Sequence, residues 1–242
     1  MRQDCGNGAR HFPAVRINDH QFCTGRLAGA NVTVPYKEKV IPYLDELSEG
    51  ANIIGAINTI VCSGDTLKGY NTNAIGFMDA LNDAEFETAG KSALVFGTGG
   101  AAKAVVFMLN WLRAGAIRVA GRNPAKTAAV ANRFDGQACS IDELLEQPVA
   151  ADIVVNATSV SSPKEAPQLA ALVEKLRVPG CQLIVDLNYG RSQNFWQNMA
   201  RRQGIQFMDG LPALAFQARR TFALWTKVQV APAEFLNALQ EG

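Results

Sequence analysis

From Lys91 onward the chain alternates short, β-prone apolar runs with longer segments whose apolar positions recur at helical spacing. The runs are Ala93–Phe96, Ile117–Ala120, Asp152–Asn156, Gln182–Asp186 and Ile205–Met208. Between them, helices are predicted from the glycines after Phe96 to about Leu112, up to about Phe134, and over Ile141–Leu145, Leu169–Leu176 and Gln193–Arg202. Strands this uniformly apolar predict a parallel sheet covered by helices on both faces. A helical tail follows over Ala213–Trp225, then Glu234–Leu239 after Pro232.

The first third reads differently. Residues 1–29 carry no sustained period, and only a strand near Ala14–Ile17 is assigned there. Asn31–Val34 reads as a strand ended by Pro35, which has no N–H to give to a ladder. Lys39–Leu47 has Val40, Tyr43, Leu44 and Leu47 on one helical face, and predicts an amphipathic helix. Ala56–Val61 and Thr66–Tyr70 read as strands joined by a Ser63-Gly64-Asp65 turn. Asn71 then opens a helix that continues through Ile75 to Leu81. The expected class is α/β in two domains. A small α/β substrate domain covers 1–72 and is joined by the C-terminal helices of 211–242. A Rossmann-type, doubly wound parallel-sheet domain covers 73–210.

The chemistry concentrates at the turn after the first strand of the parallel unit. Gly97-Thr98-Gly99-Gly100-Ala101-Ala102 has the G-x-G-x-x-A form of a dinucleotide-binding turn. Gly97 allows the tight turn, Gly99 lets the backbone approach a pyrophosphate, and Ala102 lets helix and strand pack closely. The helix start then offers unpaired N–H groups and the positive end of its dipole to the phosphates. An NAD site places a carboxylate at the end of the second strand, to accept from the ribose 2′-OH. This chain has Gly121 and Arg122 there, with Lys126 one turn on, so the expected cofactor is NADP and NAD is the less favoured choice. Lys37, just after the proline turn, is a candidate acid or base if burial lowers its pKa.

Composition excludes more than it assigns. A net charge of +1 gives no reason to expect nucleic acid as a partner. No apolar run is long enough to span a membrane, and the start lacks a secretory signal's apolar core. Cys5, Cys23, Cys62, Cys139 and Cys181 have no metal-type spacing, and His11 and His20 lie in the least patterned region. Idle thiols in a reducing cytoplasm and no metal are therefore expected.

Seven short motifs in order resemble the shikimate dehydrogenase family. They are Asn31-Val-Thr-Val-Pro-Tyr-Lys37, Gly55-Ala-Ile-Asn58-Thr, Gly69-Tyr-Asn71-Thr, the Gly97–Val105 segment, Asn156-Ala-Thr-Ser, Asp186-x-x-Tyr189, and Asp209-Gly-Leu-x-x-Leu-x-x-Gln217. The resemblance implies reversible, NADP-linked reduction of 3-dehydroshikimate to shikimate, a step of chorismate and aromatic amino acid biosynthesis. The cleft between the two domains would hold the small polyol carboxylate substrate, in a monomer or homodimer. By position, Lys37 would be the catalytic lysine, and Asn31, Thr33, Asn58, Tyr189 and Gln217 would contact substrate. Gly97 to Ala102 (Gly97, Thr98, Gly99, Gly100, Ala101, Ala102) would hold the pyrophosphate. Arg122, Asn123 and Lys126 would hold the 2′-phosphate, while Asn156, Thr158 and Gly210 would line the nicotinamide side.

Two departures stand out. Asn73 occupies the place where the family has an aspartate paired to the lysine, which counts it among the catalytic positions while lowering the expected turnover. Residues 1–29 lack the family's first strand and Ser-x-Ser-Pro loop, so Arg16 or Arg26 is the candidate for gripping the substrate carboxylate. Alternatives remain: a quinate or amino-shikimate dehydrogenase, an impaired member that binds NADP or a metabolite for a regulatory role, or a folate-type methylene dehydrogenase.

Overall fold

The computed structural model describes residues 27–240. The strand expected at Ala14–Ile17, and Arg16 and Arg26, lie outside them. Two sheets organise the described chain. The larger has six parallel strands: β5 (Ser92–Phe96), β6 (Ala116–Ala120), β7 (Gln137–Cys139), β8 (Ile153–Asn156), β9 (Leu183–Asp186) and β10 (Gln206–Met208). Their order is β10-β9-β8-β5-β6-β7, so the winding reverses between β5 and β8. Side chains of each strand alternate between two buried cores. Ala93 and Val95 face helices α2 (Thr72–Asp83), α3 (Gly100–Trp111) and α4 (Pro124–Arg133). Leu94 and Phe96 face α6 (Pro167–Lys175) and α7 (Phe195–Gln203), with Leu144 of the short α5 (Glu143–Glu146) beyond. This is the doubly covered sheet that the apolar runs predict.

The smaller sheet has the order β1-β3-β4-β2, from β1 (Gly29–Asn31), β2 (Glu46–Leu47), β3 (Thr59–Ser63) and β4 (Thr66–Tyr70). Its core is Val40, Ala51, Ile57, Ile60 and Leu67. The amphipathic helix expected over Lys39–Leu47 does not form. Pro42 confines helical structure to a 3-10 turn over Ile41–Tyr43. The Asp45 carboxylate then accepts from the Leu67 N–H at 2.8 Å, and Glu46–Leu47 pair with β4. Val40, Tyr43, Leu44 and Leu47 still turn inward, but from a turn and a strand rather than a helix. The first strand ends at Asn31, and the second begins at Thr59 rather than Ala56. An unread helix, α1 (Glu49–Ile54), lies between them, capped by the Ser48 hydroxyl and ended by Gly55 at φ +70°.

Two ties join the sheets. Arg133, at the end of α4, donates to the carbonyls of Ile53 (2.8 Å) and Asn52 (3.1 Å) at the C-terminal end of α1. The second tie is α8 (Leu211–Thr226), which packs along α2 and returns to the small sheet, where the Trp225 indole donates to Ile60 O at 2.9 Å. Helix α9 (Pro232–Gln240) packs on α8. The α2–α8 crossing is close because Gly76 has no side chain: a Cβ there would lie 2.7 Å from Ala213 O and Gln217 N. Among the described residues no helix is long and apolar enough to cross a membrane.

Backbone atoms cannot retreat as a flexible side chain can, so Gly76→Ala must force the two helices apart. Overpacking of this kind costs about 1–3 kcal/mol. Urea denaturation should give a lower midpoint with an unchanged slope. An unchanged midpoint would show that the crossing has room to spare.

Candidate active site

The reversal between β5 and β8 places a crevice at the carboxyl ends of both strands, where open α/β sheets bind ligands. Gly97 follows β5 at φ +122°, a conformation that L side chains rarely adopt, and a Cβ on it would lie 2.8 Å from Ala157 O. Gly99 is the N-cap of α3, makes no side-chain cap, and has open space where a Cβ would point. The first helical hydrogen bond is Lys103 N–H to Gly99 O at 3.0 Å, so the N–H groups of Gly100, Ala101 and Ala102 are left for an anion. These features fit a dinucleotide pyrophosphate.

At the end of β6, Gly121 sits against Thr98 and Thr127. Arg122 and Lys126 are exposed beside it and have no ion-pair partner among the described residues. Two unneutralised cations there fit a 2′-phosphate better than a ribose hydroxyl. Asn123 is committed otherwise: its Oδ1 accepts from Lys126 N–H at 3.0 Å and caps α4, which leaves its Nδ2 as the group available to a ligand.

Lys37 comes from the small-sheet side, in the segment between β1 and β2. The turn carrying it is fixed by Tyr36 N–H to Thr33 O at 2.9 Å and by Ile57 N–H to Lys37 O at 2.8 Å. Asn71 Nδ2 donates to Ala56 O at 2.9 Å, so the start of α2 is pinned to the same segment. The stem of Lys37 rests on the dinucleotide turn itself: a Cβ on Gly100 would lie 3.2 Å from Lys37 Cβ and 3.5 Å from its Cδ. Next to it, Glu38 pairs with Lys103 of α3 at 2.5 Å. Burial lowers the Lys37 pKa from 10.5 to about 8, because the ammonium loses hydration. Among the described residues neither Lys37 nor Asn73, at the second position of α2, has a side-chain hydrogen-bond or ion-pair partner.

Asn58 and Gln217 are brought together. Asn58 Nδ2 donates to Gln217 Oε1 at 2.9 Å and to Thr72 Oγ1 at 2.8 Å, and both amides are nearly buried. Asn31 and Thr33 are exposed on and just after β1, and Tyr189 is exposed in the loop after β9. Gly210 starts α8, so close to Leu187 that a Cβ would meet its carbonyl oxygen.

Asn156 ends β8 at the crevice. It is fully buried, donates to Asp186 Oδ1 (2.8 Å) and Val160 O (3.0 Å), and accepts from Thr158 N and Oγ1 (3.1 and 2.7 Å). Its side chain, and the Thr158 hydroxyl with it, braces the loop after β8. Buried Asp186 anchors that loop and its neighbour, also accepting from Asn188 N–H and Asn194 Nδ2. Thr72, the last residue of the Gly69-Tyr-Asn71-Thr motif, and Thr221, outside every motif, touch the Asn58–Gln217 pair directly or through one hydroxyl. The described thiols of Cys139 and Cys181 are pushed up to about 11, mainly by burial, which leaves them protonated and inert. The described residues contain no cluster of His, Cys, Asp and Glu that could hold a metal.

Known proteins resemble the chain in both sequence and fold. The model of the shikimate dehydrogenase substrate binding domain matches residues 15–60, and that of shikimate / quinate 5-dehydrogenase matches 80–199. A shikimate dehydrogenase (NADP(+)) of Moorella thermoacetica is 38% identical over 221 residues, 88% of this chain and 74% of the relative. That of Halothermothrix orenii is 37% identical over 225 residues, covering 88% and 76%. A solved shikimate 5-dehydrogenase of Thermus thermophilus, in complex with NADP(H) and shikimate, superposes with a TM-score of 0.80 at 32% identity. That match covers 95% of this chain and 85% of the solved one. Matched across most of its length by both family models and relatives, the chain belongs to the shikimate dehydrogenase family.

Proposed function

We propose that this protein catalyses the reversible, NADP-linked interconversion of shikimate and 3-dehydroshikimate. The observation that carries the reading is the packing of Lys37 on Gly100. It sets an amine of lowered pKa against the turn suited to a dinucleotide. The names of the most similar relatives support the same substrate and cofactor. Residues 73–210 form the cofactor domain in this reading, and 1–72 with 211–242 form the substrate domain.

NADP, when bound, accepts the hydride in oxidation and supplies it in reduction. In oxidation the neutral amine of Lys37 takes the proton from the reacting hydroxyl. In reduction its ammonium returns a proton to the forming alkoxide, as general acid–base chemistry requires. Asn31, Thr33, Asn58, Tyr189 and Gln217 hold the other hydroxyls and the carboxylate, which fixes the reacting carbon against the cofactor. Gly97 to Ala102 hold the pyrophosphate, and Arg122 and Lys126, with Asn123 Nδ2, hold the 2′-phosphate. Asn73 faces the reaction without a charge, so nothing there balances the ammonium or relays its proton.

Shikimate oxidation followed at the absorbance of the reduced cofactor tests the assignment directly. Turnover with NADP, and much less with NAD, is expected; cofactor binding without turnover of shikimate, quinate or related polyols would instead point to a binding role. The pH dependence has a fixed sign. Burial favours the neutral amine, so kcat/KM for oxidation should rise as pH passes through about 8, and that for reduction should fall. Lys37→Met should remove that step and lower kcat by about 10²–10⁴-fold.

Asn73→Asp restores a carboxylate. It should raise kcat by about 10²–10⁴-fold and move the pH midpoint upward, since a nearby anion favours the ammonium. No gain in turnover would remove position 73 from the reaction.

A further inference from the structure

We propose that Thr72 is a positioning residue that fixes Gln217 as a hydrogen-bond donor toward the substrate. The backbone N–H at the start of α2 sets this polarity. Thr72 is the first residue of α2, and its N–H is one of the donors that a helix start leaves without a partner inside the helix. It meets Asn58 Oδ1 at 2.7 Å. A backbone N–H only donates, so the Asn58 amide can sit only with its oxygen toward α2 and its Nδ2 turned away.

The Asn58 Nδ2 protons are both taken, one by Thr72 Oγ1 at 2.8 Å and one by Gln217 at 2.9 Å. The Gln217 atom that receives the second must therefore be its oxygen; a flipped amide would set two NH2 groups against each other. Thr72 Oγ1 reaches the same oxygen at 3.1 Å and gives it its single proton. Thr72 Oγ1 is then an acceptor toward the two threonines behind it, Thr221 at 3.0 Å and Thr59 at 3.3 Å, which also meet each other at 2.9 Å. One direction runs from these hydroxyls through Thr72 to Gln217 Oε1.

The outcome is that Gln217 Nε2, which has no hydrogen bond among the described residues, carries the only groups of that amide left for a ligand. The substrate atom it meets must be an acceptor, such as a hydroxyl oxygen or a carboxylate. All five side chains are at most 6% exposed, so water competes little for their hydrogen bonds and the polarity is held rigidly. The inference rests on the proposed function for the identity of the ligand, while the polarity belongs to the protein alone.

Neutron diffraction from crystals of the perdeuterated wild-type protein tests the polarity without any ligand. Two deuterons are expected on the Gln217 atom turned away from Asn58, and the Thr72 deuteron should point at Gln217 Oε1. Oxygen in that outward place would overturn the proposal, whatever the enzyme turns over. Kinetics test the consequence. Thr72→Val should raise the KM for shikimate about tenfold. The kcat and the KM for NADP should stay within about twofold, because the variant takes away one of the two hydrogen bonds that hold Gln217 Oε1 and touches neither Lys37 nor the cofactor turn. Thr72→Ser keeps the hydroxyl and should restore the KM. Equal losses in the Val and Ser variants, or a fall in kcat at constant KM, would mean that Thr72 does not position Gln217.

Discussion

The close crossing of α2 and α8 at Gly76 is the constraint on which the site depends. Gln217 lies far along the chain from Asn58 and Thr72, and only this crossing brings its amide into their reach. A glycine is needed because the partners at the crossing are backbone atoms, which cannot give way. Once the helices touch there, five polar side chains are buried together, and burial of so many is tolerable only because they satisfy one another. The packing that closes the core thus also sets the direction of the hydrogen bonds on the substrate side.

Beside this neutral, hydrogen-bonded cluster, Lys37 is a charged group of the site left without a partner among the described residues. Lys37 is buried without a counter-charge among the described residues, its stem against Gly100 and its carbonyl held by Ile57. Burial alone lowers its pKa, and an ammonium stripped of water costs free energy unless a charge repays it. The same geometry couples the lysine to the cofactor turn: Gly100 is the wall that Lys37 leans on, and Glu38 is tied to Lys103 one turn along α3. Electrostatic balance at this point is therefore left to the bound ligands more than to the protein.

Local patterns were readable wherever a segment's own residues decide its structure. The β5–α3 turn, the Thr66–Tyr70 strand and the Asn71-capped helix all occur where propensity, capping and periodicity agree. Lys39–Leu47 misleads because its apolar spacing suits a helix, while Pro42 and the pull of Asp45 on Leu67 favour a turn and a short strand. Helix α1 carried its own signals in Ser48 and Gly55, but six residues give too little periodicity to stand out. Asn156 shows a contact that spacing does not reveal: the buried carboxylate of Asp186, thirty residues on, accepts from its Nδ2.

The sequence by itself determined the α/β alternation, the glycine turn after β5, the paired cations after β6 and the proline turn that carries Lys37. Each of these is carried by neighbours in the chain. Only the tertiary structure decided the lowered pKa of Lys37, the hydrogen bond of Asn156 to Asp186 and the partners of the Gln217 amide. Those depend on desolvation and on partners that packing supplies from remote segments, and neither composition nor spacing records them.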